Sequence, residues 1–135
     1  MTPTGRTPRE RAAEALEHLE LALVYSHRDL SEQITIDAIA LRLSAGLEAL
    51  GALDEDVRAH LVGGSWAAMR GLRNRIAHGY TTVNPVYIVR IIEDDLAPVI
   101  KALREYLTVP DRRELTVRLE AFGGGWEAEI GRAHV

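Results

Sequence analysis

Cysteine is absent from the 135-residue chain, which excludes disulfides, thiolate metal sites and cysteine nucleophiles. No apolar run reaches the roughly 20 residues that a helix needs to cross a bilayer. The first residues do not resemble a secretory signal either. We therefore expect a soluble, cytoplasmic protein that does not bind a membrane.

Aromatic residues are also scarce, at 5% of the chain, whereas hydrophobic residues make up 47%. A core must therefore be built mainly from Leu, Ile, Val and Ala, and such a composition suits close-packed helices. The chain length fits a single domain.

Acidic residues are missing from one long stretch, although the whole chain has a net charge of −4. From residue 57 to residue 92 there is no Asp or Glu, but there are several cations: Arg58, His60, Arg70, Arg73, Arg75, His78 and Arg90. A polyanion or a nucleotide would meet a positive local field there. The alternative is that these cations are spread over several faces and are simply solvated.

Apolar residues recur at helical spacing through most of the chain. Thr7-Pro8-Arg9-Glu10 predicts a helix start, and the first helix should run to about Tyr25. A second helix should stop at Gly51, with an apolar face formed by Ile36, Ile39, Ala40, Leu43, Leu47 and Leu50. A short third helix should begin after Asp54 and end at Gly63-Gly64.

Ser65 is predicted to cap a fourth helix that ends at Gly79 and carries four side chains inward: Trp66, Met69, Leu72 and Ile76. Asn84-Pro85 should open the last long helix, whose apolar pattern consists of Val86, Val89, Ile92, Leu96, Val99, Ile100 and Leu103. Pro98 lies within that helix and lacks the amide that would bond back to Asp94, which predicts a kink.

The tail has a different period. Apolar and polar residues alternate over residues 115–121 and 126–130, on either side of three glycines, which predicts a β-hairpin. An isolated hairpin is only marginally stable, so it should pack on the helices, pair with a second chain or be disordered. The predicted organisation is an all-α domain over residues 1–109 and an extension over residues 110–135.

The residues richest in chemistry lie within residues 73–80. Asn74 and His78 are four residues apart and share a helical face, whereas Arg73 and His78 are about 140° apart on an ideal helix. Histidine titrates near neutral pH and can move a proton to or from a ribose oxygen. Arginine can stabilise charge on a phosphate. These groups suit metal-free RNA cleavage, but on the residues alone ordinary surface positions are the simpler interpretation.

The same segment resembles the HepT-like HEPN proteins, whose signature is Arg, four residues, His, one residue and Tyr. Arg73, His78 and Tyr80 match it, and Asn74 supplies the polar residue that follows the Arg. The surroundings agree with the family pattern: Trp66, Met69-Arg70-Gly71-Leu72, Asp37-Ala38 and Asp94-Asp95-Leu96-Ala97-Pro98. The resemblance covers roughly residues 8–107 and leaves out the tail.

The resemblance implies an antiparallel HEPN-type helical bundle that forms a homodimer with its sites at a shared cleft. It implies a toxin of a type II toxin–antitoxin pair, which cleaves RNA without a metal or a cofactor. Arg73 and His78 would be catalytic, and Asn74 would orient the histidine or bind phosphate. Tyr80 would receive AMP from the partner, a minimal nucleotidyltransferase antitoxin.

Arg70 and Arg75 are further candidates for binding the RNA, because they lie in the acid-free stretch beside the motif. The alternative function is a non-catalytic HEPN module that binds a nucleotide or a nucleotidyltransferase. The other histidines lack the spacing of metal ligands, and Glu93-Asp94-Asp95 fits a solvated helix face better than a magnesium site. We therefore predict no metal site.

Overall fold

A computed structural model describes residues 6–79 and 83–109 of the chain. Within them all regular structure is helical, which confirms the all-α prediction, and the helices are α1 (Pro8–Tyr25), α2 (Gln33–Gly51), α3 (Glu55–Val62), α4 (Trp66–Gly79), α5 (Pro85–Ile91) and α6 (Ala97–Thr108). A 3-10 turn, Gly63–Ser65, leads into α4, and a π-helical turn, Ile92–Leu96, joins α5 to α6. The predicted tail hairpin lies outside the described residues.

Helix α1 begins and ends where the sequence predicts. The Thr7 hydroxyl accepts a hydrogen bond from the Glu10 amide at 3.1 Å, and Pro8 occupies the first turn, where its missing amide costs nothing. One face of the helix is buried and consists largely of small residues: Ala12, Ala15, Leu19 and Ala22. These small side chains let a neighbouring helix approach closely.

That neighbour is α2, which follows a short connection and packs back along α1. The apolar face predicted for α2 is buried throughout. At Gly46 the helices are so close that an added Cβ would lie 2.8 Å from Cδ2 of Leu19. The small residues therefore fix the distance between the two longest helices.

Helix α3 ends at Gly63, whose φ of 57° lies in the left-handed region that favours glycine. Asp54 precedes the helix as predicted, but its side chain makes no capping hydrogen bond. The Arg58 guanidinium lies over the Trp66 ring, 4.8 Å from its centroid, and donates to the Leu53 carbonyl at 2.9 Å. Trp66 therefore lies half-buried at the start of α4, beneath an arginine.

The predicted last helix is divided into three parts. The Asn84 side chain caps α5 by accepting from the Val86 amide at 3.0 Å. The π-helical turn ends at Leu96, two residues before Pro98. Proline cannot supply the amide that an α-helix would pair with the Asp94 carbonyl, and a π turn changes that pairing to residues five apart. The chain thus accommodates Pro98 with a wider turn where the sequence predicts a kink.

The core lies where α1, α2, α4 and α6 meet. Its largest fully buried side chains are Leu19, Ile39, Leu43, Leu47, Leu50, Met69, Ile88, Leu96, Leu103 and Val99. Arg9 closes the bundle by donating to the Leu107 and Val109 carbonyls, each at 2.6 Å. Among the described residues, no helix has the length and apolar character required to span a membrane.

Candidate functional site

Helix α4 carries the motif on its outer surface. Met69, Leu72 and Ile76 are buried, and α4 packs against α2 and α5. The helix remains regular until Gly79, whose φ of 148° is one that residues with a Cβ rarely adopt. The motif side chains from Arg73 to His78 are therefore displayed from one rigid helix.

A groove between α4 and the start of α5 brings part of the motif together. It measures about 510 Å³ and is lined by Gly71, Asn74, Arg75, His78, Val83, Asn84 and Tyr87; we call it the motif groove. Asn74, Arg75 and His78 are all exposed, so a ligand in this groove can reach all three side chains. The predicted sharing of one face by Asn74 and His78 is confirmed.

Arg73 is not among the residues that line the motif groove. It is half-buried, and because α4 is regular, the ideal-helix separation of about 140° from His78 applies. Arg70 is exposed and lies three residues earlier, on the same side of α4 as Arg73. The chain thus presents Asn74, Arg75 and His78 to the motif groove and Arg73 on another side of the helix, and Arg70 lies between Arg73 and Asn74 around α4. Tyr80 lies outside the described residues.

Tyr87 is a site residue that the sequence analysis missed. The Arg75 guanidinium lies over its ring, 4.1 Å from the centroid, in a cation–π arrangement. Arg75, as a hydrogen-bond donor to the phenol and as a nearby positive charge, lowers the pKa of Tyr87; Arg90 adds to the effect, while desolvation opposes it. The signal in the sequence was an aromatic residue within the acid-free stretch that lies outside the predicted apolar pattern of its helix.

A second cavity adjoins the motif groove along α4 and α5. It measures about 470 Å³, shares Gly71, Arg75 and Tyr87 with the groove, and is further lined by Ala67, Ala68, Leu72, Arg90, Ile91, Asp94 and Asp95; we call it the side pocket. Asp95 is half-buried and accepts a hydrogen bond from the Ser65 hydroxyl at 2.5 Å. The Arg75–Tyr87 pair therefore forms a wall common to the two cavities.

Metal-ligating side chains do not converge near either cavity: over residues 6–79 and 83–109, no group of three or more His, Asp or Glu is placed to hold an ion. The chemistry that the groove itself offers is proton transfer at His78, hydrogen bonding by Asn74 and anion binding by Arg75. Such a set suits a phosphate ester.

In comparisons with known proteins, the chain matches one protein family. A family model described as "Ribonuclease HepT-like" matches residues 12–106, from the first turns of α1 to the last turn of α6. No curated protein and no solved structure gives a significant match. The matched region includes both cavities and stops before the tail.

Proposed function

The chain belongs to the HepT-like ribonuclease family, and from this premise we propose that it is the toxin of a type II toxin–antitoxin pair and cleaves RNA without a metal. The proposal depends on one observation: the region that matches the family contains a groove lined by Asn74, Arg75 and His78, all three of which belong to the acid-free stretch. RNA is a polyanion, and this groove offers it the Arg75 cation and the His78 imidazole, which can carry a proton.

In the proposed reaction, His78 takes the proton from a ribose 2′-hydroxyl. The 2′-oxygen then attacks the adjacent phosphorus, and the bond to the 5′-oxygen breaks. The leaving oxygen takes a proton from water, and a 2′,3′-cyclic phosphate remains. Arg73, with Arg75 and Arg70, would stabilise the charge on the phosphate, and Asn74 would orient the histidine.

A homodimer would explain the position of Arg73. Ile34 and Leu41 of α2 are 73% and 68% exposed. They line an apolar cavity of about 420 Å³ together with Ile76 of α4. Arg73 lies three residues before Ile76, on the same side of α4. We propose that a second copy covers this surface with two-fold symmetry, so that both Arg73 side chains face a shared cleft.

The partner proposed to control this toxin is a minimal nucleotidyltransferase antitoxin that transfers AMP from ATP to the Tyr80 hydroxyl, with release of pyrophosphate. The added phosphodiester would bring a negative charge close to His78, which is two residues away. That charge would pair with nearby arginines and occupy the place of the RNA phosphate. The alternative is a non-catalytic module that only binds a nucleotide or this partner.

The nuclease proposal is tested by incubating purified protein with RNA in EDTA. We expect cleavage by the wild type and at least a hundredfold loss in both motif variants. For His78→Ala the reason is that a general base contributes roughly 10²–10⁴-fold. For Arg73→Ala it is that removing one donor that stabilises transition-state charge costs about 10²–10³-fold. His27→Ala and Arg28→Ala are matched controls, because both residues are exposed and lie outside the motif. Cleavage that survives both motif substitutions contradicts the residue assignment, and intact RNA with the wild type supports the non-catalytic alternative.

The proposed transfer of AMP to Tyr80 is tested by incubating the purified protein with the nucleotidyltransferase and ATP and measuring its mass by mass spectrometry. We expect the wild type to gain mass and lose RNase activity, and Tyr80→Phe to do neither. Tyr87→Phe is the matched control and should still gain mass. If the wild type is neutralised without any gain of mass, the antitoxin acts by binding alone.

A further inference from the structure

The side pocket has the volume of a binding site for a small ring, and half of its lining is small or apolar. Ala67, Ala68 and Gly71 are small and leave space between α4 and α5. Together with the larger apolar residues Leu72 and Ile91 they form the part of the lining that we call the floor. A volume of about 470 Å³ is typical of cavities that take small ligands. An apolar floor favours the face of a ring over a phosphate.

The wall shared with the motif groove is a stacking surface. The planar Arg75 guanidinium already lies against the Tyr87 ring. A nucleobase can add to such a stack, because both arginine and aromatic faces bind the π-faces of bases. The same wall borders the motif groove, so a nucleotide could place its phosphate on one side of the wall and its base on the other.

The far end of the side pocket carries carboxylates. Asp94 and Asp95 both lie in the π-helical turn, a rare local structure that is frequent at functional sites. Asp95 is held by Ser65, whereas Asp94 is exposed. Carboxylates repel phosphate but accept hydrogen bonds from the N–H groups of bases. Arg90 also lines the side pocket, so this cavity carries charges of both signs, whereas the motif groove is lined by Arg75 and by no carboxylate. The side pocket therefore suits the base better than it suits the phosphate, and the motif groove suits the phosphate.

We propose that the side pocket is a nucleobase subsite, which selects a guanine next to the scissile phosphate bound in the motif groove. Guanine presents two adjacent N–H donors on its Watson–Crick edge, and the Asp94 carboxylate can accept both. Uracil presents carbonyl oxygens on either side of one N–H, and these oxygens would face the same negative charge. The inference rests on the proposed RNase function for its link to cleavage.

Equilibrium binding of GMP, AMP, CMP and UMP to the full chain tests the subsite without requiring cleavage. We expect GMP to bind at least tenfold more tightly than UMP and Asp94→Asn to remove that preference. Glu93→Gln is the matched control, since Glu93 is an exposed carboxylate of the same turn and is not among the lining residues. Tyr87→Leu should weaken all four nucleotides together, while Tyr87→Phe should retain binding.

The second readout is the sequence at the ends of the RNA fragments. We expect the wild type to cut beside guanine and Asp94→Asn to cut without preference for any base. Equal binding of the four nucleotides, or an unchanged preference in Asp94→Asn, overturns the subsite. RNA cleavage without base preference also overturns it while leaving the RNase proposal intact. Selective GMP binding by a protein that cleaves no RNA overturns the RNase proposal and supports the subsite.

Discussion

The close approach of α1 and α2 can be tested by comparing the unfolding free energies of two glycine-to-alanine variants, one at the contact between these helices and one away from it. Gly46 of α2 faces α1: an added Cβ would lie 2.8 Å from Cδ2 and 3.0 Å from Cγ of Leu19, which is fully buried. Carbon atoms prefer separations of about 3.5–4.0 Å. Gly71 of α4 is also helical, but its added Cβ would meet nothing within 4 Å. The same substitution should therefore have opposite effects at the two positions.

The magnitude follows from two contributions. Replacing glycine by alanine inside a helix stabilises it by about 0.8–1.0 kcal/mol, and this gain applies at both positions. Crowding a packed core costs about 1–3 kcal/mol, and this cost applies only at Gly46, because the Leu19 side chain that the added Cβ would meet is fully buried. We expect Gly71→Ala to raise the free energy of unfolding by about 1 kcal/mol. Gly46→Ala should be less stable than Gly71→Ala by about 1–3 kcal/mol.

Urea denaturation followed by circular dichroism measures both free energies, with protein concentration held constant because association also stabilises the folded state. The difference between the two variants is more reliable than either value, since the contribution of helix propensity cancels. If Gly46→Ala proves as stable as Gly71→Ala, α1 and α2 do not approach as closely as the structure shows.

Two further predictions concern the site and the assembly. Arg75→Gln should raise the pKa of Tyr87 towards its ordinary value, because the guanidinium no longer favours the phenolate; the wild-type phenol should therefore lose its proton at lower pH than the variant, which ¹³C NMR of the tyrosine ring can follow. An unchanged titration would mean that the Arg75–Tyr87 pair does not form in solution. Leu41→Glu should convert the proposed dimer to a monomer in sedimentation at micromolar concentration, because a buried unpaired charge is costly. Val24→Glu changes another exposed apolar residue and should leave the dimer intact. If Leu41→Glu is still a dimer, the interface does not include this surface of α2.

Some features of the sequence predict the structure well because they act over a few residues. The hydroxyl at Thr7 and the amide at Asn84 cap their helices as expected, since a cap needs only backbone amides two or three positions away. Gly79 ends α4 because only a residue without a Cβ readily adopts its φ.

Other predictions from the sequence were incomplete. Pro98 indicates a disturbed helix, but local rules do not show that a π-helical turn precedes it. The face of α5 is another example. Val86 belongs to the apolar pattern yet is 54% exposed, whereas Ile88 and Ile91 are buried, because the neighbouring helices determine which side of α5 is covered.

The sequence by itself determined the helices, the apolar face of α2 and the identity of the motif residues, because periodicity and capping are properties of neighbouring residues. Only the tertiary structure decided that Asn74, Arg75 and His78 share a groove from which Arg73 is absent. It also paired Arg75 with Tyr87 and opened the side pocket. The physical reason is that these arrangements depend on how α4 and α5 pack against each other, and that packing is set by the core as a whole rather than by the spacing of residues along either helix.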